Sequence, residues 1–165
     1  MKNLFRLILV AALAVLVWWG WGKLFPQDEA IIRKRVSRVA SLMTFDGKEG
    51  NIAKYANVEE LANLFDMEVE VVIDTPGYSQ QILTGRTDLR QRAFAARSAV
   101  SSLEVNFLDL NVTLDPNRTN ATVFLTGQAK TPNDRDGFVQ ELKFLLRKVE
   151  GKWLIYRVET VRTLT

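Results

Sequence analysis

Two long arms near the C-terminus decide the fold: Phe138-Val139-Gln140-Glu141-Leu142-Lys143-Phe144-Leu145-Leu146-Arg147-Lys148-Val149 and Lys152-Trp153-Leu154-Ile155-Tyr156-Arg157-Val158-Glu159-Thr160-Val161-Arg162. Glu150-Gly151 separates them as a two-residue turn. Each arm is longer than a usual strand of about five to six residues. The sequence therefore predicts one long antiparallel hairpin.

The turn also predicts which residues share a face of the sheet, because neighbours along a strand point to opposite faces. One face should carry the pairs Lys148–Trp153, Leu146–Ile155, Phe144–Arg157 and Leu142–Glu159. The other should carry Arg147–Leu154, Leu145–Tyr156, Lys143–Val158 and Glu141–Thr160. A bulged three-residue loop would change this register and move the pairs.

The first face is apolar near the turn, and we expect it to be concave. The predicted pocket residues are Tyr55, Phe144, Trp153, Arg157 and Glu159. Arg157 and Glu159 would orient a polar ligand or move a proton, or else form a structural ion pair, and the ion pair is the favoured interpretation.

The second face is also rich in apolar side chains: Leu145, Leu154, Tyr156 and Val158. A sheet that is apolar on both sides usually has both sides covered. We therefore expect a homodimer formed through this second face.

The composition narrows the chemistry that the chain can perform. Its 165 residues are 47% apolar, enough for a core, and include no Cys and no His. Thiol nucleophiles, disulfides, Cys or His metal ligands and a His general base are thus excluded. No catalytic residue, metal or cofactor is predicted. A net charge of +3 without a basic stripe gives no reason to expect nucleic acid as a partner.

Residues 1–25 are predicted to be a transmembrane signal-anchor. Lys2 and Arg6 precede a charge-free apolar run over residues 7–21. Trp18, Trp19 and Trp21 near its end suit the membrane interface, which indole rings favour. The alternative is a cleaved signal peptide. In both cases the charge bias places the domain at 26–165 outside the cytoplasm, and we expect a single-pass protein of the bacterial inner membrane with a periplasmic domain.

The remaining elements predict an α+β domain. A helix after Asp28 carries Ile32, Val36, Val39, Ala40 and Met43 at helical spacing, a short helix covers 48–56, and Asn57 is expected to cap another. A strand alternates through Met67, Val69, Val71 and Ile73 before a helix that starts near Thr87, whose small alanines should allow close approach to a sheet. Strands at 105–114 and 121–130 then join the hairpin in an antiparallel meander.

In this order and spacing the chain resembles the nuclear transport factor 2-like superfamily, in its SnoaL-like branch. The resemblance rests on Leu61-Ala62-Asn63-Leu64-Phe65 before a Val-rich strand, on Gly85-Arg86-Thr87-Asp88-Leu89, and on Gly151-Lys152-Trp153-Leu154-Ile155. It implies a cone-like curved antiparallel sheet packed on about three helices, with a pocket at the open end. Members of the superfamily include isomerases, dehydratases, cyclases and hydrolases, and many only bind a ligand or a partner.

These expectations combine into a membrane-anchored extracytoplasmic binding or assembly module. Its layout resembles inner-membrane components of secretion systems that carry this fold on one anchor. The alternatives are a SnoaL-like enzyme, such as an isomerase, dehydratase or hydrolase, and a carrier of a hydrophobic ligand. An enzyme needs a carboxylate or Tyr in the pocket, whereas a carrier needs an apolar cavity of several hundred Å³.

Overall fold

Three helices and six strands make up the part of the chain that the computed structural model describes, namely residues 28–74, 80–132 and 134–161. In chain order they are α1 (Asp28–Met43), α2 (Asn51–Asn63), β1 (Phe65–Ile73), β2 (Gln81–Thr84), α3 (Arg86–Ala99), β3 (Glu104–Leu114), β4 (Asn120–Thr131), β5 (Asp134–Val149) and β6 (Lys152–Thr160). This order confirms the predicted α+β class.

The predicted anchor at 1–25, with Trp18, Trp19 and Trp21, lies outside the described residues. Among the helices that are described, none has the length and apolar character needed to span a bilayer.

The six strands form one curved sheet in the order β2-β1-β6-β5-β4-β3. Strands β3 to β6 form the predicted antiparallel meander. Strand β1, however, pairs in parallel with β6, with Glu70 opposite Arg157, so the expectation of a wholly antiparallel sheet is wrong. The reason is that β2 folds back along one edge of β1, which leaves the other edge to β6, whose direction is already set by the meander.

The hairpin turns at Glu150 and Gly151, as predicted. Both residues have positive φ, 49° and 78°, which is the conformation of a type I′ turn between strands. The pairs next to the turn, Lys148–Trp153, Arg147–Leu154 and Leu146–Ile155, are also as predicted.

Beyond these pairs a β-bulge in β6 changes the register. Leu145 lies opposite Arg157 and Phe144 opposite Val158, so Tyr156 is an extra residue without its own partner. The predicted pairs farther from the turn are therefore wrong: Phe144–Arg157, Leu142–Glu159, Leu145–Tyr156, Lys143–Val158 and Glu141–Thr160. Because the bulge inserts one residue into the alternation, Val158 joins the face of Trp153 and Ile155, and Arg157 and Glu159 lie on the other face.

The hydrophobic core lies between α1 and one face of the sheet, which we call the inner face. This face carries fully buried side chains such as Val123, Leu146 and Ile155, and the opposite face is called the outer face. On α1 the predicted stripe of Ile32, Val36, Val39 and Ala40 is buried against the inner face. It is completed by Leu42, while Met43 is 37% exposed.

Two local expectations are corrected by the structure. The region predicted as two short helices is the single helix α2, in which Asn57 does not act as a cap but donates a hydrogen bond from Nδ2 to Glu49. In β1 an irregularity between Phe65 and Glu70 turns Met67 outward, so that it is 67% exposed rather than buried. The same irregularity leaves Val69 fully buried.

Candidate functional site

A cavity of about 400 Å³ lies between the inner face of the sheet and the helices. Its volume is in the range of small-molecule sites, about 300–1,000 Å³. Four lining residues, Met43, Arg92, Ala96 and Phe138, are more than one-third exposed, so the cavity meets solvent on their side. Most of the wall is apolar and consists of Val39, Leu42, Met43, Phe45, Leu61, Phe65, Val71, Ile73, Leu83, Leu89, Ala93, Ala96, Leu103, Val105, Phe107, Gly127, Ala129, Phe138, Leu142, Phe144 and Val158.

Small residues create much of this space. Ala93 and Ala96 line the cavity from α3, where larger side chains would fill it. On β4, a Cβ added at Gly127 would lie only 2.9 Å from Leu142 Cδ1, so even alanine would push a lining side chain aside. We expected the alanines of α3 to bring this helix close to the sheet, but at Ala93 and Ala96 they border open volume instead.

An aromatic pair forms part of the wall. The rings of Phe107 and Phe144 meet edge to face, with centroids 5.6 Å apart and planes at 66°. This is a favourable arrangement of aromatic quadrupoles and fixes both rings. Phe144 is thus the one predicted pocket residue that the structure places on the cavity wall.

Five polar side chains reach the cavity: Arg92, Arg97, Gln128, Gln140 and Thr160. Arg97 is 4% exposed and its guanidinium is fully engaged, with an ion pair to Glu49, a hydrogen bond to the carbonyl of Leu42 and a position 4.9 Å above the Phe45 ring. Because Glu49 neutralises the charge of Arg97, this residue ties α3 to α1 and the segment before α2 rather than reaching for a ligand.

The neighbouring polar groups at β5 and β6 are also used within the protein. Thr160 accepts a hydrogen bond from the backbone N–H of Asp74 at 2.9 Å and donates one to its carbonyl at 3.1 Å. Gln140 donates to the carbonyls of Glu141 and Val161. These bonds fasten the end of the sheet and offer no acid–base chemistry.

Among the described lining residues there is no Asp, Glu or Tyr. The described part of this wall removes an apolar ligand from water and includes no carboxylate or phenol that could act as a general acid or base. Binding is therefore the chemistry that these residues support.

Two predicted pocket residues lie elsewhere. Trp153 is 1% exposed within the core, and its Nε1–H donates to Asp28 Oδ1 over 2.9 Å. Tyr55 is on α2 and is 62% exposed. Neither contributes to the cavity wall, because Trp153 fills the space beneath α1 and Tyr55 points to solvent.

Arg157 and Glu159 lie on the outer face, as the bulge requires. Arg157 contacts Glu70 at 2.6 Å and Glu159 at 2.9 Å, and Glu159 also accepts from Lys143 at 2.8 Å. The hydrogen bonds from Lys143 and Arg157 lower the pKa of Glu159, and the bond to Glu159 raises the pKa of Arg157. Their placement in the pocket is thus wrong, and the favoured ion-pair interpretation describes their contacts.

Three of the four residues predicted for the dimer face are on the outer face: Leu145, Leu154 and Tyr156. All three are half-buried, and the ring of Tyr156 lies 5.6 Å from the guanidinium carbon of Arg147. Val158 is the exception, since it is 6% exposed and lines the cavity. Phe124, which we did not predict, adds a 42% exposed ring to the same face.

The lining residues on α3 and β4 were missed because nothing distinguishes a cavity-lining alanine from a packed one in the sequence. Two features of the sequence could have indicated part of this geometry, one in β4 and one in β6. A glycine inside the apolar alternation of β4, Gly127, is typical of a site of close approach in a strand. The spacing of the apolar residues Trp153, Ile155 and Val158 breaks the period of two and indicates the bulge.

Comparisons with known proteins show which solved structures share this architecture. No family model and no curated protein matches the chain. Solved structures do match: a protein of unknown function with a cystatin-like fold from Nostoc punctiforme is 17% identical with a TM-score of 0.61, covering 85% of this chain and 96% of that one.

Two structures from Novosphingobium aromaticivorans are also similar. One is a nuclear transport factor 2-like protein with a cystatin-like fold, at 17% identity and a TM-score of 0.61, covering 92% of this chain and 86% of that one. The other is described as a candidate scytalone dehydratase, at 18% identity and a TM-score of 0.59, covering 82% and 84%. At such identities the likeness shows the fold alone: the chain has a nuclear transport factor 2-like, cystatin-like fold, as the resemblance implied.

Proposed function

We propose that the protein is a binding module that holds a small hydrophobic molecule in the cavity beneath the inner face. The observation that carries this proposal is the wall itself: about 400 Å³ bordered almost entirely by apolar side chains. Burial of a ligand's apolar surface there contributes about 25 cal/mol of favourable free energy per Å². Without a bound ligand this free energy is not gained, because the apolar wall stays in contact with water.

The described wall favours binding over the enzyme alternative. A dehydratase or isomerase needs a general acid or base within hydrogen-bond reach of its substrate. The similarity to the candidate dehydratase therefore supports the fold of this chain but identifies no catalytic group in the described wall. In our proposal the segment at 1–25 remains a membrane anchor, and the domain at 26–165 takes its hydrophobic ligand on the periplasmic side.

Filling the cavity tests the proposal. We expect Ala93→Phe to weaken binding of the neutral probe 2-naphthamide at least tenfold, because the added ring occupies the ligand volume. Binding is measured by equilibrium dialysis of the full chain, with the same detergent in both chambers. Ala95→Phe, on the same helix but exposed and outside the wall, is the matched control.

Native mass spectrometry of the same samples provides a second measurement, since a co-purifying ligand should be lost only with Ala93→Phe. Ala96→Phe replaces this variant if circular dichroism shows that Ala93→Phe is unfolded. Equal probe binding by wild type, Ala93→Phe and Ala95→Phe would contradict the proposal, as would no binding by any of them.

A further inference from the structure

Two arginines, Arg92 and Arg97, are part of the mostly apolar cavity wall, and they differ in how their charge is used. The Arg97 charge is compensated by Glu49, within a buried set of contacts that also includes the Leu42 carbonyl. Arg92 lies five residues earlier on α3, at an exposed position of the wall. Within the described residues, no hydrogen bond or ion pair engages its side chain.

The other arginines of α3 show that this is a property of the position. Arg86 donates to the carbonyl of Phe65, and Arg90 pairs with Glu59 at 2.8 Å. Asp88, one turn before Arg92, is the helix position from which a carboxylate would best reach it. Even so, no ion pair joins Asp88 to Arg92 among the contacts of the described chain. Of the two arginines in the wall, Arg92 is thus the one without an ion pair in the described part of the chain.

We propose that the ligand is an amphipathic anion, a hydrophobic body with a carboxylate or a similar acidic group at one end, and that Arg92 binds the acidic group. The inference rests on the proposed function, because the body must enter the cavity for its acidic end to meet Arg92. Guanidinium presents a planar fork that matches a carboxylate with two parallel hydrogen bonds. Arg92 is exposed, so the pair stays in contact with water and its attraction is moderate, whereas a cationic ligand would be repelled.

A matched pair of probes tests the charge preference. 2-Naphthoate and 2-naphthamide have the same ring and nearly the same size, but only the acid is ionised at neutral pH. In equilibrium dialysis of the full chain with detergent-only blanks, we expect wild type to bind naphthoate about fivefold to tenfold more tightly than naphthamide. Arg92→Gln should remove that preference, lowering the affinity for naphthoate more than the affinity for naphthamide, while Arg92→Lys should retain part of it.

Lys152→Gln is the control for loss of one positive charge, since Lys152 is exposed at the hairpin turn and is not part of the wall. It should leave both affinities as in wild type. The naphthoate preference should also shrink as salt is raised, because an exposed charge pair is screened.

Two results would overturn the inference while leaving the proposed function intact. In the first, wild type binds both probes equally. In the second, Arg92→Gln lowers both affinities by the same factor. Naphthoate binding that persists in Ala93→Phe would also overturn it, because the anion would then be bound outside the cavity. Failure of both probes to bind wild type would reject the proposed function together with the inference.

Discussion

At the scale of single residues, Asp28 has the most demanding environment. Its side chain is buried, and Oδ1 accepts hydrogen bonds from Lys148 Nζ at 2.8 Å and from Trp153 Nε1 at 2.9 Å. Burial acts to raise the pKa of Asp28, but these two bonds and the charges of Lys148 and Arg118 outweigh it and hold the pKa below the ordinary 3.8. One carboxylate therefore joins the start of α1 to the hairpin.

We expect Asp28→Asn to lower the free energy of unfolding by about 2 kcal/mol at neutral pH, because it removes the buried charge that pairs with Lys148. The folded-state pKa is lowered, so this stability is complete above the unfolded pKa and is lost as pH falls through the folded pKa. The gap between wild type and variant should thus narrow only below the ordinary 3.8.

Urea denaturation at a series of pH values measures this gap. Asp88→Asn serves as control, since the Asp88 carboxylate has no hydrogen bond or ion pair with a described residue, and it should change little at any pH. Equal stability of Asp28→Asn and wild type at neutral pH would contradict the assigned role.

At the scale of elements, the hairpin shows what the sequence could predict. The turn, the antiparallel pairing and the three pairs nearest the turn follow from local spacing, because a two-residue turn leaves no freedom of register there. The bulge at Tyr156 could not be inferred from pairing alone. It depends on whether Val158 or Arg157 is buried, and burying Val158 costs far less than burying an arginine.

The turn itself offers a test with two opposite outcomes. Glu150 has φ 49°, a left-handed conformation that asparagine adopts more easily than glutamate. We expect Glu150→Asn to stabilise the protein by about 0.5–1 kcal/mol, and Gly151→Ala to destabilise it by about 1–2 kcal/mol, because Gly151 has φ 78°.

Thermal and urea unfolding measure both changes. A Cβ at Gly151 meets no atom within 4 Å, so its cost comes from the backbone alone. Lys152→Ala, next to the turn and exposed, should be nearly neutral. If Glu150→Asn and Gly151→Ala changed the free energy of unfolding in the same direction, the type I′ explanation would be ruled out.

At the scale of the whole molecule, the α+β class and the meander were predictable and the resemblance implied a pocket, but the residues that line it were not predictable. Periodicity identifies which side of a helix or strand is buried. It does not say how far apart two buried sides lie. Ala93 on α3 and Gly127 on β4 line the cavity together with larger residues such as Leu142, and the sequence does not show which of them face open volume.

The homodimer stays a prediction, and the outer face provides its test. Leu154, Tyr156 and the exposed Phe124 would lie at the centre of the interface. We expect wild type to have the mass of a dimer in size-exclusion chromatography with light scattering, and Phe124→Glu to have the mass of a monomer, since it replaces an exposed apolar ring of the expected interface with a charge.

Ile52→Glu is the matched control, because Ile52 is 89% exposed on α2, away from the sheet. It should remain dimeric, and all three proteins should bind naphthamide alike. A monomeric mass for wild type would refute the dimer without affecting the cavity.

The parallel pairing of β1 with β6 has a consequence for how the domain folds. Glu70 and Arg157, which meet across this junction, are 87 positions apart, and Asp28 and Trp153 are 125 apart. Such distant contacts stabilise the fold only after a large loss of loop-closure entropy. We therefore expect folding to be slow and its transition state to be late. Since β6 follows every other described element in the chain, a nascent domain has its three helices and strands β1 to β5 before β6 but no closed cavity. Ligand would then bind only after β6 has docked, and would trap the finished fold rather than guide it.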